Sequence, residues 1–356
     1  MKVLHVVGAR PNFMKAAPVL RALAGRRGVE QMLVHTGQHY DAAMSDVFFA
    51  QLGMPEPDLN LAVGSGTHAW QTAQIMTRFE PVVLEHKPDW VVVYGDVNST
   101  AAAALVCSKL LVPVAHVEAG LRSGDRTMPE EINRLVTDQL SDMLFTPSSD
   151  ADENLKREGI AASKVRLVGN VMIDTLVRLL PLAERQDLNG VPDRYALVTL
   201  HRPSNVDDLP WLQALLKTLT ELSRELPVVF PVHPRTRERI VEVGQLTHSA
   251  SLYLLEPKPY LEFLALQRRA SIVITDSGGI QEETTFLGVP CITVRENTER
   301  PITVELGTNR LVGRDLEALR AEVHSVLAQP ATPRGPIPLW DGHAAERIAE
   351  HFARAC

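Results

Sequence analysis

Two doubly wound α/β domains facing across a cleft are what this sequence predicts. Three observations point there. Apolar, β-branched runs alternate with helical patterns from end to end. The alternation stops once near the middle, at a proline-rich polar stretch, and then restarts. Polar residues gather where the strand-like runs end. Continuous apolar strands separated by helices imply a parallel sheet covered on both faces.

In the first half the strands are expected at Lys2–Gly8, Gln31–Thr36, Trp90–Gly95, Pro113–Glu118, Met143–Pro147 and Lys164–Gly169, with helical stretches such as Phe13–Ala24 and Ser99–Leu111 between them. Leu179–Arg194 is polar, carries prolines and has no strand pattern, so it reads as the link between residues 1–178 and residues 179–338. In the second half the strands are expected at Ala196–His201, Val228–His233, Leu252–Leu255, Ile272–Asp276 and Cys291–Val294. A second proline-rich stretch, Gln329–Pro338, precedes a helical pattern at Gly342–Arg354, and residues 339–356 are expected to pack back on the first domain. Ligands of open α/β sheets bind beyond the carboxyl ends of the strands.

Bulk properties exclude several classes. The chain has 356 residues, 45% apolar and 22% charged, the make-up of an ordinary globular protein. Its net charge of −7 offers no basic field for nucleic acid or an anionic membrane, so any bound anion needs a local site. The three cysteines are far apart and form no CxxC pair, which argues against a disulfide framework or a zinc site and fits a reducing cytoplasm. No apolar run is long enough to span a bilayer. No metal is expected, since the histidines and acids sit on separate βα units.

The most informative stretch is Thr275-Asp276-Ser277-Gly278-Gly279-Ile280-Gln281-Glu282-Glu283. A strand that ends in Ser-Gly-Gly and turns into a helix is suited to phosphate: glycines let the backbone come close, and the first N–H groups of the helix point at the anion. Glu283, one turn in, is placed to reach a ribose diol. The bland alternative is a tight turn that binds nothing. Arg10 and Lys15, after the first strand, suit phosphate oxygens. Asp96 ends the Trp90 strand and Glu118 the next, while Glu131 lies in the first turn of a helix opened by Pro129. One of Asp96 and Asn98 is expected to cap the helix that follows. Three carboxylates in one place repel, so at least one is expected to have a raised pKa, as general acid/base work requires. His201 and His233 end the first two strands of the second half.

Taken together, GARPNFMKAAP, HTGQHYDAAMSDVFF, VYGDVNST, HVEAGLRSGDRTMPEEINR, VTLHRPSNVDD, TDSGGIQEE and RENTERP resemble the non-hydrolysing UDP-N-acetylglucosamine 2-epimerase family, in family order from Val7 to Pro301. The resemblance implies two Rossmann-like domains of the GT-B kind, a homodimer, and interconversion of UDP-GlcNAc and UDP-ManNAc through a bound glycal and UDP, without a cofactor. It implies Asp96, Glu118 and Glu131 as the acid/base group. Arg10, His201 and the Ser277–Gly279 helix start would hold the departing diphosphate, Glu283 the ribose and Phe263 the uracil, with Arg300 at the substrate. Lys15 and His233 join the substrate-binding set. Gln38 and His39 match a motif tied in some members to activation by a second UDP-GlcNAc, whereas Tyr40, Asp41 and the His68–Met76 region differ from those members. Val97 stands where members often carry Thr, and Pro203-Ser204-Asn205 replaces a second Arg followed by Glu-Asn. Two alternatives stand beside this reading: an epimerase for a related sugar such as a UDP-2,3-diacetamido uronic acid, and a GT-B glycosyltransferase.

Overall fold

The computed structural model describes residues 1–38, 49, 51–244, 250–329 and 335–354. The chain forms two compact units, one of Met1–Thr175 with Pro338–Cys356 and one of Leu176–Ile337.

The first unit is built on seven strands: β1 (Lys2–Val7), β2 (Glu30–His35), β3 (Leu59–Asn60), β4 (Trp90–Tyr94), β5 (Val114–Val117), β6 (Met143–Thr146) and β7 (Val165–Leu167). Their spatial order is β3-β2-β1-β4-β5-β6-β7, and every pairing is parallel. Val91 and Val93 of β4 and Leu4 and Val6 of β1 face one apolar cluster, with Phe79 and Val83 of the helix His68–His86 and Ala103, Ala104 and Val106 of the helix Asn98–Lys109. Each of the larger of these side chains, fully buried, stabilises the unit by about 1.5–3 kcal/mol, and each alanine by less. The alanines bring that helix close to the sheet.

The second unit has six strands, β8 (Ala196–Thr199), β9 (Val228–Pro231), β10 (Leu252–Leu255), β11 (Ile272–Thr275), β12 (Cys291–Thr293) and β13 (Asn309–Leu311). Their order is β10-β9-β8-β11-β12-β13, again all parallel. Ala196, Val198, Ile272 and Ile274 pack into one cluster, and Leu197 and Val273 into another on the opposite face. Burial on both faces explains why these strands read as unbroken apolar runs.

Both sheets reverse their winding direction at one place: between β1 and β4 in the first unit, between β8 and β11 in the second. At such switch points adjacent loops leave the sheet on opposite sides and open a crevice. The loops at these points begin with Gly8 and Gly95, and with Leu200 and Asp276.

Three expectations need correction. Leu179–Ala183 is not part of a linker: it completes the helix Val171–Ala183, with Pro181 inside its last turn. The strands Leu59–Asn60 and Asn309–Leu311 are too short to leave a pattern. Val97, not Asp96 or Asn98, is the N-cap of Asn98–Lys109, and no side chain caps it. Among the described residues, no helix is long and apolar enough to cross a membrane.

The helix Ala344–Arg354 belongs to the first unit and packs on the helix Arg10–Ala24. The Asp174 carboxylate accepts hydrogen bonds from the N–H groups of Ala344 (3.1 Å) and Ala345 (2.7 Å), capping that helix from a distance in sequence. Burial pushes the Asp174 carboxyl up to about 6 despite those two bonds. Asp174→Ala is expected to cost about 1 kcal/mol, the usual worth of a cap, while Asp174→Asn keeps the acceptor without a buried charge and stays at wild-type stability. Thermal melts and amide exchange over residues 344–354 test this; equal loss in both variants would refute the capping role.

Candidate active site

The polar residues at the carboxyl end of the first unit's sheet form two cation–carboxylate groups. In one, the Lys15 ammonium pairs with Oε2 of Glu118, both buried. Lys15 is in the helix that follows β1, and Glu118 follows β5 directly. Glu118 has φ +72°, a left-handed conformation that a non-glycine residue holds at a cost of about 1–3 kcal/mol. The amides of Glu118 and Ala119 both donate to the carbonyl of Phe145, at 3.1 and 3.0 Å, and this holds the strained residue.

In the other group, Arg134 is shared. This side chain, 2% exposed, donates from Nη1 to Oδ2 of Asp96 at 2.5 Å, and from Nε and Nη2 to Oε2 of Glu131 at 3.0 and 2.5 Å. Glu131 also accepts from the N–H groups of Ser123 and Gly124, both at 3.0 Å. Burial alone would raise the Glu131 carboxyl; the bonds from Arg134 and Ser123 outweigh it and hold it below the usual carboxylate range. Asp96 keeps a quarter of its side chain exposed.

Gly95 joins the two groups. Its φ is +61°, and a Cβ there would lie 2.6 Å from Lys15 Nζ and 3.2 Å from Glu118 Oε2. Only glycine fits, which brings the backbone before Asp96 against the Lys15–Glu118 pair. The three predicted carboxylates are therefore brought together, but not as a bare repelling trio. The expectation of a pKa raised by mutual repulsion fails for Glu131, because Arg134 lies between it and Asp96.

In the second unit Asp276 organises the switch point. Its carboxylate accepts from the N–H groups of His201 (3.1 Å) and Arg202 (3.0 Å) and from Asn205 Nδ2 (3.1 Å), and His201 Nδ1 lies 3.1 Å from its other oxygen. Burial works against ionisation, but the His201 bond and charge, with the Arg202 and Asn205 bonds, keep this carboxyl low. About half of the His201 side chain is exposed. The helix Gly278–Leu287 starts after Ser277 with no side-chain cap, so its first N–H groups remain for a ligand. Gly278 is packed tightly: a Cβ would meet Arg300 Nη1 at 2.6 Å and Glu299 Oε1 at 2.8 Å.

Arg300 is buried between Glu282 (2.9 Å) and Glu299 (2.8 Å). Burial opposes the Glu299 charge, but Arg300, Arg295 and Arg202 hold its carboxyl far below the usual range. Glu283 has the opposite fate. It is buried, accepts a 2.8 Å hydrogen bond from the Tyr260 hydroxyl, and burial pushes it up to about 7. Phe263 is half-buried against the cluster that contains Leu197 and Val273. Arg10 is exposed at the start of its helix, and His233 is exposed as the N-cap of Pro234–Glu242. Gln38 is buried and accepts from the N–H and hydroxyl of Ser99 at 3.0 and 2.7 Å, while His39 lies outside the described residues.

Several residues of the site carry no signal that a single sequence could give. Arg134 looks like a helix-surface arginine, and its spacing of three from Glu131 was the one available hint. His116, Asp138 and Tyr260 read as a strand residue, a helix acid and a core aromatic.

Comparison with known proteins places the chain among epimerases. Residues 21–353 match the family model described as UDP-N-acetylglucosamine 2-epimerase. The chain is 44% identical over 360 residues to the UDP-N-acetylglucosamine 2-epimerase of Methanocaldococcus jannaschii, covering 98% of each chain. It is 43% identical over 357 residues to the UDP-2,3-diacetamido-2,3-dideoxy-D-glucuronate 2-epimerase of Pseudomonas aeruginosa, covering 99% of this chain and all of that one. The crystal structure of the M. jannaschii enzyme with UDP-GlcNAc and UDP superposes with a TM-score of 0.90, at 43% identity over 99% of this chain and 100% of that one.

The Glu283 carboxyl gives a measurable pH signature. Its folded pKa is raised, so folding favours the protonated form; that stabilisation is whole below about pH 4.5 and is lost as pH rises to about 7. The stability of the wild type relative to Glu283→Gln should therefore fall by roughly 3 kcal/mol across that window and stay level above it. Denaturant unfolding of both proteins at a series of pH values checks this, and a pH-independent difference would show that Glu283 is ionised throughout.

Proposed function

Because the chain belongs to the UDP-N-acetylglucosamine 2-epimerase family, we propose that it interconverts UDP-GlcNAc and UDP-ManNAc at C2 without net hydrolysis. The observation that carries this reading is the set of cation-paired carboxylates around Gly95, with Glu118 and Glu131 buried and Asp96 a quarter exposed. A module that only bound nucleotide would have no use for two acids held at the ends of neighbouring strands and a third in the helix that follows.

The chemistry follows from the substrate. The C2 proton of the sugar is not beside a carbonyl, so it cannot be removed directly. Cleavage of the C1–O bond sends its electron pair to the diphosphate and leaves an oxocarbenium-like C1, which nearby carboxylates stabilise. A carboxylate then takes the C2 proton, and that C–H pair becomes the C1=C2 double bond of a glycal. The return reaction places a proton on the opposite face of C2 as UDP adds back to C1.

Asp96 and Glu118 are assigned to the two proton transfers. Glu131, with both oxygens engaged, serves as a fixed negative charge that orients Arg134. Arg10, His201 and the Ser277–Gly279 helix start are assigned to the diphosphate charge, Glu283 to the ribose diol, Phe263 to the uracil face and Arg300 to the substrate beside the glycine turn. Lys15 and His233 complete the charge balance around the substrate. The working form is a homodimer in the cytoplasm, where the buried thiols of Cys107 and Cys291 stay reduced.

A second reading, turnover of a UDP-2,3-diacetamido uronic acid, is favoured by one observation: the Pseudomonas relative matches almost as well as the archaeal one.

Incubation with UDP-GlcNAc in D₂O, followed by NMR at C2, tests the proposal. Deuterium at C2 with UDP-ManNAc formed is the expected result. Free ManNAc would point to hydrolysis, and exchange only in the diacetamido uronic acid would select the second reading. Asp96→Asn is expected to lower exchange at least roughly a hundredfold, the usual weight of a general base, and to leave affinity for UDP near the wild-type value. Lost UDP affinity with retained exchange would remove Asp96 from the proton path.

A further inference from the structure

The helix Pro129–Leu140 turns one buried polar face toward the ends of β4 and β5, carrying Glu131, Arg134 and Asp138 at helical spacing. Glu131 and Arg134 have been accounted for. Asp138 has not: it touches none of the three candidate acids and is completely buried. Its Oδ1 lies 2.6 Å from Nδ1 of His116, and its Oδ2 accepts from the Gly120 N–H at 3.0 Å and pairs with Arg122 Nη2 at 2.7 Å. His116 is itself fully buried, and its Nε2 lies 2.8 Å from the carbonyl oxygen of Gly95.

These contacts fix one proton of the ring. The Gly95 carbonyl can only accept, so Nε2 carries a proton and donates. Asp138 is a carboxylate: burial opposes its charge, but His116 and Arg122 hold it low. Nδ1 faces the Asp138 carboxylate, so the ring is clamped between two acceptors. One end of this clamp holds the carbonyl immediately before Asp96. Through Asp138, the other end holds the amide two residues after Glu118. Arg134, one helical turn before Asp138, holds the Asp96 side chain. The Gly95–Asp96 turn is thus gripped at its backbone and its side chain from one helix.

We propose that His116, backed by Asp138, is a positioning residue that sets the spacing of Asp96 and Glu118, the two groups that exchange the C2 proton. It acts through the Gly95 carbonyl and touches no substrate. This rests on the acid/base assignment above. The bland alternative is a satisfied core histidine whose loss only loosens the unit.

Two variants separate the readings. In His116→Asn the amide reaches Asp138 but is too short for the Gly95 carbonyl. In His116→Gln the longer side chain can still donate to that carbonyl. His116→Asn should lower kcat and C2 exchange roughly a hundredfold, the scale of a displacement of about 1 Å at a reacting group, with KM and UDP affinity within about twofold of wild type. His116→Gln should recover most of kcat. Amide exchange should show loosening confined to residues 95–97 and 118–120 in the Asn variant only. The proposal fails if both variants lose kcat equally, if kcat and KM change together in step with thermal stability, or if residues 95–97 exchange as in the wild type. If the Asn variant does not fold, full kcat loss in a folded Gln variant also sinks it. Wild-type protein that turns over neither UDP-sugar would overturn the function, not the clamp. The clamp would then be read from ¹⁵N NMR of labelled histidine, where His116 Nε2 should carry a proton hydrogen-bonded to a carbonyl; an unprotonated Nε2 would sink it.

Discussion

The buried guanidinium of Arg134 is the constraint around which the first unit's polar end is arranged. A cation at 2% exposure is costly to remove from water and persists only where acceptors replace the lost hydration. Asp96 and Glu131 supply them. The dependence runs both ways: without Arg134, two acids would face each other in a poorly solvated place. Removing one partner of such a buried set commonly costs about 3–5 kcal/mol, so the acids and the arginine stand or fall together. Lys15 and Glu118 repeat the arrangement on the other side of Gly95.

The second unit solves a similar problem with opposite signs. Around Gly278 three arginines, Arg202, Arg295 and Arg300, converge on Glu299, and Arg300 also meets Glu282. This network sits directly behind the helix start that suits a diphosphate. Three arginines against two glutamates leave one positive charge in excess beside that helix start. A ligand anion there would gain from it, from the uncapped N–H groups of Gly278–Leu287 and from His201, which is half exposed and partnered by Asp276. Asp276 does for this unit what Arg134 does for the other: it ties the loop after one strand of the switch point to the loop after its neighbour.

Much of this was legible in the residues. The parallel sheets follow from apolar runs such as Trp90–Tyr94 and Ile272–Thr275, because a strand buried on both faces has no polar alternation to confuse it with a surface strand. Asp96, Glu118 and Ser277 stand out in the sequence because they follow such runs, at the carboxyl ends of strands. What escaped notice has a common physical reason. Arg134, His116, Asp138 and Tyr260 act through partners far away in the chain: Asp96 is 38 positions from Arg134, and Glu283 is 23 from Tyr260. Local pattern says that a residue is polar or apolar, not which charge will face it. For the same reason the expected mutual repulsion of the acids did not survive: the compensating cations were in plain view in the sequence but had no assigned place.

The different surroundings of the three acids distinguish them in a way that residue type alone cannot. A carboxylate that moves a proton must offer an oxygen to the substrate and tolerate both protonation states. Glu131 is poorly suited to this, since protonation would forfeit hydrogen bonds from Arg134 and from two backbone amides at once. Asp96 keeps part of its side chain exposed and has one cationic contact, to Nη1 of the same guanidinium. A change of charge on Asp96 would be felt by Glu131 through Arg134, which can shift its hydrogen bonding from one acid toward the other without leaving its place. Glu118 pairs with Lys15, whose flexible ammonium can follow a change in the carboxylate in the same way. Asp96 and Glu118 thus each face a cation, and Glu131, held by Arg134 and two backbone amides, is the acid that anchors the shared guanidinium.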